Sequence, residues 1–350
     1  MTVEMSRVIR ELPAALSPTR HFACVDMVTA DGQFYDIDFF LEGTRGGMKA
    51  TETTVHKLNG RPYYVWEQAA DKTWFRAPVD GASNALLGVK NGRDRFTFRY
   101  QAEIPAIKSN ARMWMPLASP DDFQKVRIVS IESPEEPRTL NEKSFGNRVL
   151  YFELGPKDSG SSIVVTYDVE RLERGATPGD PEEAARYLGP APEGATGVKL
   201  KATAEEAVRG REGDLMRARA LYDHVIDTMT YKRCGTGWGV GDVQRVCNLL
   251  EGNCSDLHAY FIGLARAVGI PARFAIGAAI PSDRDEGGIE GCHCWAEFYA
   301  EGEWWPVDIS EANKFSALSM YYFGHHPANR IELSRGRDLV PEPGPKSGPI

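Results

Sequence analysis

The sequence predicts an α+β protein, on three observations. The first half of the chain is a succession of short runs rich in β-branched and aromatic residues, separated by Gly, Pro, Asn and Asp. Residues 174–198 are dense in Gly, Pro and Ala and hold no sustained period, as an inter-domain linker would. Beyond them, apolar residues first recur at helical spacing and then alternate as strands do. At roughly one domain per 150 residues, a chain of 350 divides in two.

Composition bounds the partners. Apolar residues make up 42% and charged residues 26% of the chain, the mixture of a soluble globular protein. A formal charge of −8 opposes a polyanion, whose binding rests on Lys and Arg neutralising phosphates. No basic stripe with interleaved aromatics offsets it, so no nucleic-acid partner is expected. The opening MTVEMSRVIRELPAAL lacks the apolar run of a signal peptide, and no stretch nears the ~18 apolar residues of a membrane span. A cytoplasmic chain, or one exported with its signal already removed, both fit. Six cysteines are too few for a disulfide scaffold and leave the redox compartment open.

Residues 1–173 read as a β-rich region holding one or two sandwich-like units over 20–172, with strands at 34–41, 96–103, 125–131, 147–154 and 162–169. The last of these alternates, which implies one wet face. The linker at 174–198 carries a helical turn or two at 181–188. A second, α+β domain follows over 199–340. Its first helix, 214–229, places Leu215, Ala218, Tyr222, Val225, Ile226 and Met229 on one stripe; a second, 242–250, does so with Val243, Val246, Cys247 and Leu250. The tail at 341–350, PEPGPKSGPI, reads as disordered or draped on the surface.

A thiol sits at the start of a third helix. Leu257, Phe261, Leu264 and Val268 recur as a buried stripe, which Gly269 and Pro271 stop. Asn253 is a natural N-cap and Asp256 follows in the first turn, so Cys254 takes the first helical position. A thiol there meets the positive end of the helix dipole, which favours thiolate, the reactive species. The backbone N–H groups of that turn also suit an oxyanion. Taken alone, Cys254 reads as a small buried residue at a helix start.

Its context changes that reading. The runs from Cys292 to Tyr299 and from Glu303 to Asp308, joined by Glu301-Gly302, form a β-hairpin pattern. With that turn, Tyr299 faces Trp304 and Trp295 faces Asp308. His293 then lies diagonal to Asp308 on one face, at roughly 5–8 Å. A carboxylate beside an imidazole fixes its tautomer and stabilises the imidazolium, which is triad logic. A plain cross-strand polar pair is the bland alternative.

These residues resemble the transglutaminase-like superfamily. The signatures are GNCSDLHAYFIGLARAVGIPARF, HCWAEFY and WWPVD. The resemblance covers roughly residues 200–340, from Tyr231-Lys232 and the GWGVGD run to Tyr321-Tyr322-Phe323-Gly324 and 330–338, and is nearest to bacterial transglutaminase-like proteins regarded as candidate cysteine proteases. It implies a papain/transglutaminase-like catalytic domain behind the β-sandwich-like region. It also implies Cys254 as nucleophile, His293 as general base and then acid, and Asp308 as orienter. The oxyanion hole would combine the Cys254 backbone N–H with an upstream side-chain donor, for which Trp238 is the candidate. Asn253, Trp295 and Trp305 are cleft candidates, with core packing the alternative for both tryptophans.

Cys292, His293 and Cys294 invite a zinc reading, but a strand sends the two cysteines to one face and the histidine to the other, and no C-x2-C partner exists. No metal or cofactor is assigned. Cys292 and Cys294 are expected to line the core side, His258 to pack or hydrogen-bond, and His325-His326 to form a surface or loop pair. The thioester formed at Cys254 can pass to water or to an amine. Without calcium-site patterns or the multi-domain build of animal transglutaminases, the sequence favours hydrolysis of a peptide or protein amide. Transfer to an amine acceptor is the alternative, and a catalytically inert peptide-binding module is the alternative of another class. Residues 1–172 show no catalytic constellation and read as a substrate-positioning or partner-binding module.

Overall fold

The chain is described by a computed structural model over residues 3–9, 19–29, 33–44, 47–58, 61–68, 74–78, 89–90, 92–189, 194–233, 236–282, 284–289, 291–314 and 319–350. Alternating, β-branched segments open it as strands: β1 (Val3–Ile9), β2 (Arg20–Thr29), β3 (Phe34–Glu42), β4 (Lys49–Leu58) and β5 (Arg61–Pro62), then the hairpin β6 (Tyr64–Gln68) and β7 (Trp74–Pro78). Six more follow: β8 (Arg93–Glu103), β9 (Ala111–Leu117), β10 (Gln124–Glu132), β11 (Arg138–Asn141), β12 (Arg148–Leu154) and β13 (Ser162–Leu172). The rest is mixed: β14 (Thr177–Pro178), α1 (Pro181–Ala185), α2 (Gly194–Ala207), α3 (Asp214–Thr228), β15 (Thr230–Tyr231), α4 (Val243–Leu249), β16 (Glu251–Gly252) and α5 (Cys254–Ala267). Then come β17 (Ala272–Ala279), β18 (His293–Ala300), β19 (Glu303–Val307), α6 (Ile309–Lys314) and β20 (Arg330–Arg335). The α+β class is as the sequence predicts.

Two compact units partition these elements: Met1–Leu87, Gly175–Ala272 and Trp295–His326 form one, and Gly88–Arg174, Arg273–Cys294 and Pro327–Ile350 the other. In the first unit β1 to β5 make an antiparallel sheet in sequence order. Phe22, Cys24, Asp26, Asp36, Asp38 and Phe40 are buried on one of its faces, as period-two alternation requires. Buried charge on that face is paired: Arg219 of α3 donates to Asp26 and, at 3.0 Å, to Asp223. Burial nevertheless holds the Asp26 carboxyl above the usual carboxylate range.

The helices of the first unit follow their stripes. Leu215, Ala218, Tyr222, Val225 and Ile226 of α3 are buried. In α5, Cys254 and every residue from Asp256 to Ala265 are buried, so this helix is central and apolar nearly all round. The short β14 pairs with β19, and the turns expected at 181–188 are α1 and a 3₁₀ turn. Helix α2 begins within the stretch read as a linker. Spacing did not reveal it, because Leu200 and Ala204 are the buried residues of its described side chains and make too narrow a stripe.

In the second unit, the three-stranded sheets β10-β13-β8 and β11-β12-β9 share a core of Phe98, Met115, Leu150, Phe152, Ile163, Val165 and Tyr167, joined by Ala278, Ile331 and Leu333 from the antiparallel pair β17–β20. On β13 the inward Val165, Tyr167 and Val169 alternate with half-buried Thr166 and exposed Asp168. The tail is draped and pinned. Leu339 and Ile350 exchange both backbone hydrogen bonds, and Trp114 Nε1 donates to the Pro343 carbonyl at 2.8 Å.

Candidate active site

The nucleophile candidate is placed by its cap. Asn253 has extended backbone geometry, and its side chain accepts the Ser255 N–H at 3.0 Å. Asp256 closes the box by accepting the Asn253 N–H at 3.1 Å. Cys254 is therefore the first residue of α5, and it is 3% exposed. Asp256 does more than cap. Its Oδ2 also accepts the Gly239 N–H at 2.7 Å and its Oδ1 the Gly241 N–H at 3.0 Å, which ties the Trp238 loop to the first turn of α5. That carboxylate folds over Gly252, where a Cβ would lie 2.3 Å from Asp256 atoms, so the glycine before Asn253 is sterically required.

Asp308 follows Val307, the last residue of β19 in the hairpin ladder, which runs from Ala300↔Glu303 through Tyr299↔Trp304 to Ala296↔Val307. The turn is Glu301-Gly302, with φ of 53° and 83°, the two left-handed residues of a type I′ turn. The ladder stops one pair before Trp295 and Asp308, because Asp308 leaves the strand to start α6. Its Oδ1 accepts the Ser310 hydroxyl at 3.0 Å and the Glu311 N–H at 3.1 Å. His293 opens β18 and is 7% exposed.

His258 connects Cys254 to Asp308. One turn along α5, its Nδ1 lies 2.7 Å from the Cys254 carbonyl oxygen, while Nε2 accepts the Ile309 N–H at 2.9 Å and sits 3.9 Å from Asp308 Oδ1. Because Nε2 accepts, Nδ1 carries the proton and donates: the ring is neutral, with both nitrogens engaged. The sequence expects such a hydrogen-bonding role. It does not reveal the partner, since Ile309 is 51 residues away.

Among the other candidates, Trp238 is 37% exposed in a loop whose Gly237, Gly239 and Gly241 all have left-handed φ. Asn253 is the cap described above. Trp295 is buried against His326, with ring centroids 4.3 Å apart, whereas Trp305 is half-buried and donates from Nε1 to the Ala300 carbonyl. Two expectations are corrected. His325-His326 lies in a loop, as one arm of the reading has it, but not at the surface: His326 is 1% exposed, and half-buried His325 stacks on Tyr321. Cys292 does not line the core; it is exposed because β18 begins after it, while Cys294 is buried. Motif reading also passes over Arg233, which follows β15. That strand pairs in parallel with β16, just before Cys254. The Arg233 guanidinium is held above its ordinary value, first by its hydrogen bond to the Tyr231 hydroxyl, with charge on Cys254 and Glu311 adding to it.

A capped helix opening on a cysteine is thus followed in the chain by an antiparallel hairpin with an aspartate just past its end. Residues 201–309 match the model of the transglutaminase-like superfamily, and the chain carries a transglutaminase-like domain there. Over 304 residues it is 27% identical to an uncharacterized protein of Haemophilus influenzae, covering 73% of this chain and 82% of that protein. The crystal structure of a candidate cysteine protease from Cytophaga hutchinsonii superposes with a TM-score of 0.50 at 17% identity, over 70% of this chain and 83% of that one; it shows a shared fold. The periplasmic domain of TgpA from Pseudomonas aeruginosa gives a TM-score of 0.37 at 14% identity, over 90% and 98% of the respective chains. No helix among the described residues is long and apolar enough to cross a membrane.

Proposed function

We propose that the chain catalyses thiol-dependent acyl transfer on peptide or protein amides, with water as the acceptor. Cys254 is the nucleophile, His293 the general base and then acid, and Asp308 its orienter. The observation that carries this reading is the thiol at the capped first position of α5, linked through His258 to the segment bearing Asp308. The Cys254 thiolate adds to the amide carbonyl, and its backbone N–H, with Trp238 as side-chain donor, meets the oxyanion. His293 passes the proton taken from the thiol to the departing amine, which leaves a thioester. Water, deprotonated by His293, then attacks the thioester and releases the acid and the free thiol.

Amine acceptance would use the same thioester, so the test carries both acceptors. Fluorogenic peptide amides are incubated with the full chain, with and without a dansyl-labelled alkylamine. Release of free carboxylic acid that Cys254→Ser, His293→Ala and Asp308→Ala each lower by at least about 100-fold supports the hydrolytic triad. Amine incorporation in place of acid moves the reading to transglutamination. Turnover that survives Cys254→Ser removes the thiol from the chemistry.

A further inference from the structure

The N-terminal sheet carries a second concentration of chemistry. Cys24 on β2, Asp36 and Asp38 on β3 and His56 on β4 bring one donor atom each within 4.8 Å of one another. The register makes Cys24 the cross-strand partner of Asp38 and Asp26 that of Asp36, so the thiol and the carboxylates share a face. His56 joins them through a bulge. Asp36 pairs with Lys57 and Ile37 with Val55, which leaves His56 as the extra residue and turns both His56 and Lys57 inward. None of the four donors is more than 4% exposed.

Three features distinguish an ion site from a hydrogen-bonded polar cluster. The donors converge on one nitrogen: His56 Nδ1 lies 3.9 Å from Cys24 Sγ and 3.7 Å from a carboxylate oxygen of both Asp36 and Asp38. A thiol triad would set sulfur and carboxylate on opposite ring nitrogens. Ligands around a tetrahedral cation, with bonds of about 2.0–2.3 Å, stand about 3.3–3.7 Å apart, close to the His56 distances; Cys24 Sγ and Asp36 Oδ1 stand closer, at 2.5 Å, because the protonated thiol donates to that carboxylate, a bond that metal binding would replace. Charge is the second feature. Lys57 Nζ lies 3.0 Å from Asp36 Oδ2, and Asp36 and Asp38 are both fully buried carboxylates. A divalent cation that displaces the Cys24 proton brings the formal charge of carboxylates, thiolate, ammonium and ion to zero. The third is an outer shell: the Tyr64 hydroxyl donates to Asp38 Oδ2 at 2.6 Å and its ring stacks on His56 at 4.6 Å, while Lys57 holds Asp36.

We propose that Cys24, Asp36, Asp38 and His56 form a structural site for a divalent cation of the zinc class, tying β2, β3 and β4 together. Sulfur and imidazole donors select such an ion over magnesium or calcium. Four protein ligands and deep burial make the site structural. On binding, the Cys24 S–H bond breaks, its proton leaves to solvent and a sulfur–metal bond forms. His56 binds through the lone pair of Nδ1, its proton staying on the other ring nitrogen.

The test uses the full chain, produced in minimal medium supplemented with Zn²⁺ or with Co²⁺ and assayed for metal after gel filtration. About one equivalent per chain is expected. The cobalt form should show the thiolate-to-cobalt charge-transfer band and the intense d–d bands of a tetrahedral ion. Cys24→Ser should lose the charge-transfer band while Cys254→Ser keeps it, which separates this site from the proposed active-site thiol. If Cys24→Ser does not fold, X-ray absorption at the cobalt edge of the wild-type chain decides, since the site requires one sulfur in its ligand shell. A chain that folds without stoichiometric metal in either medium, or binds cobalt without sulfur ligation, overturns the assignment.

Discussion

The backbone N–H of Ile309 donates to Nε2 of His258 at 2.9 Å, fastening the start of α6 to the helix that begins with Cys254. With Nδ1 donating to the Cys254 carbonyl, the ring acts as a staple between the nucleophile candidate and the segment that carries Asp308. His258→Ala removes both bonds and leaves a cavity and a buried, unpaired N–H. It should lower stability by about 2–4 kcal/mol in urea titrations. Turnover should fall by at least about 10-fold in kcat, with KM little changed, because the reacting groups lose their alignment.

Asp256 gathers three backbone N–H groups from Gly239, Gly241 and Asn253 on one buried carboxylate. In Asp256→Asn an NH₂ group must face one of those donors. A loss of about 2–3 kcal/mol is expected, with the Trp238 loop released. Unfolding curves, and acrylamide quenching of tryptophan fluorescence against a Trp238→Phe control, read the two effects. Gly252→Ala forces its Cβ into the same carboxylate and should cost at least as much.

Arg233 gives a reactivity prediction with a definite sign. The Arg233 guanidinium is held above its ordinary value first by its hydrogen bond to the Tyr231 hydroxyl, with coupling to Cys254 a smaller contribution, and the expected reciprocal effect of that coupling is on the reactivity of Cys254. Arg233→Gln should move the pH profile of Cys254 alkylation to higher pH and slow the reaction at pH 6 by roughly two-fold, since an exposed charge is partly screened. The difference should shrink in high salt. A profile that stays put or moves to lower pH contradicts this.

The buried ion pair of Arg219 with Asp26 fixes α3 to the N-terminal sheet. Asp26→Asn leaves a guanidinium at 1% exposure short of a charge partner, with Asp223 still in place. The expected loss is about 3–5 kcal/mol by chemical denaturation, and Asp26→Asn combined with Arg219→Met should recover part of it.

What could be read from the sequence was local. The cap at Asn253 and Asp256, the stop at Gly269 and the turn at Glu301-Gly302 each depend on a few neighbouring residues, and the structure places them accordingly. What depends on distant partners was hidden. The burial of His326 rests on Trp295, and the Trp238 loop on Asp256. The Cys24, Asp36, Asp38 and His56 group forms from three strands, and the bulge that leaves His56 unmatched turns Lys57 inward beside it, against the alternation of β4. Helix α2 escaped because its buried stripe is thin rather than because it is remote.

The central claim is a thiolate at Cys254 maintained by His293. Alkylation of Cys254 by iodoacetamide, followed site by site with mass spectrometry from pH 5 to pH 9, tests it most directly. The account predicts rapid modification that persists below pH 7 in the wild-type chain and falls to the rate of an ordinary thiol in His293→Ala. Equal profiles in both, rising only near the pH of a free cysteine, would contradict it.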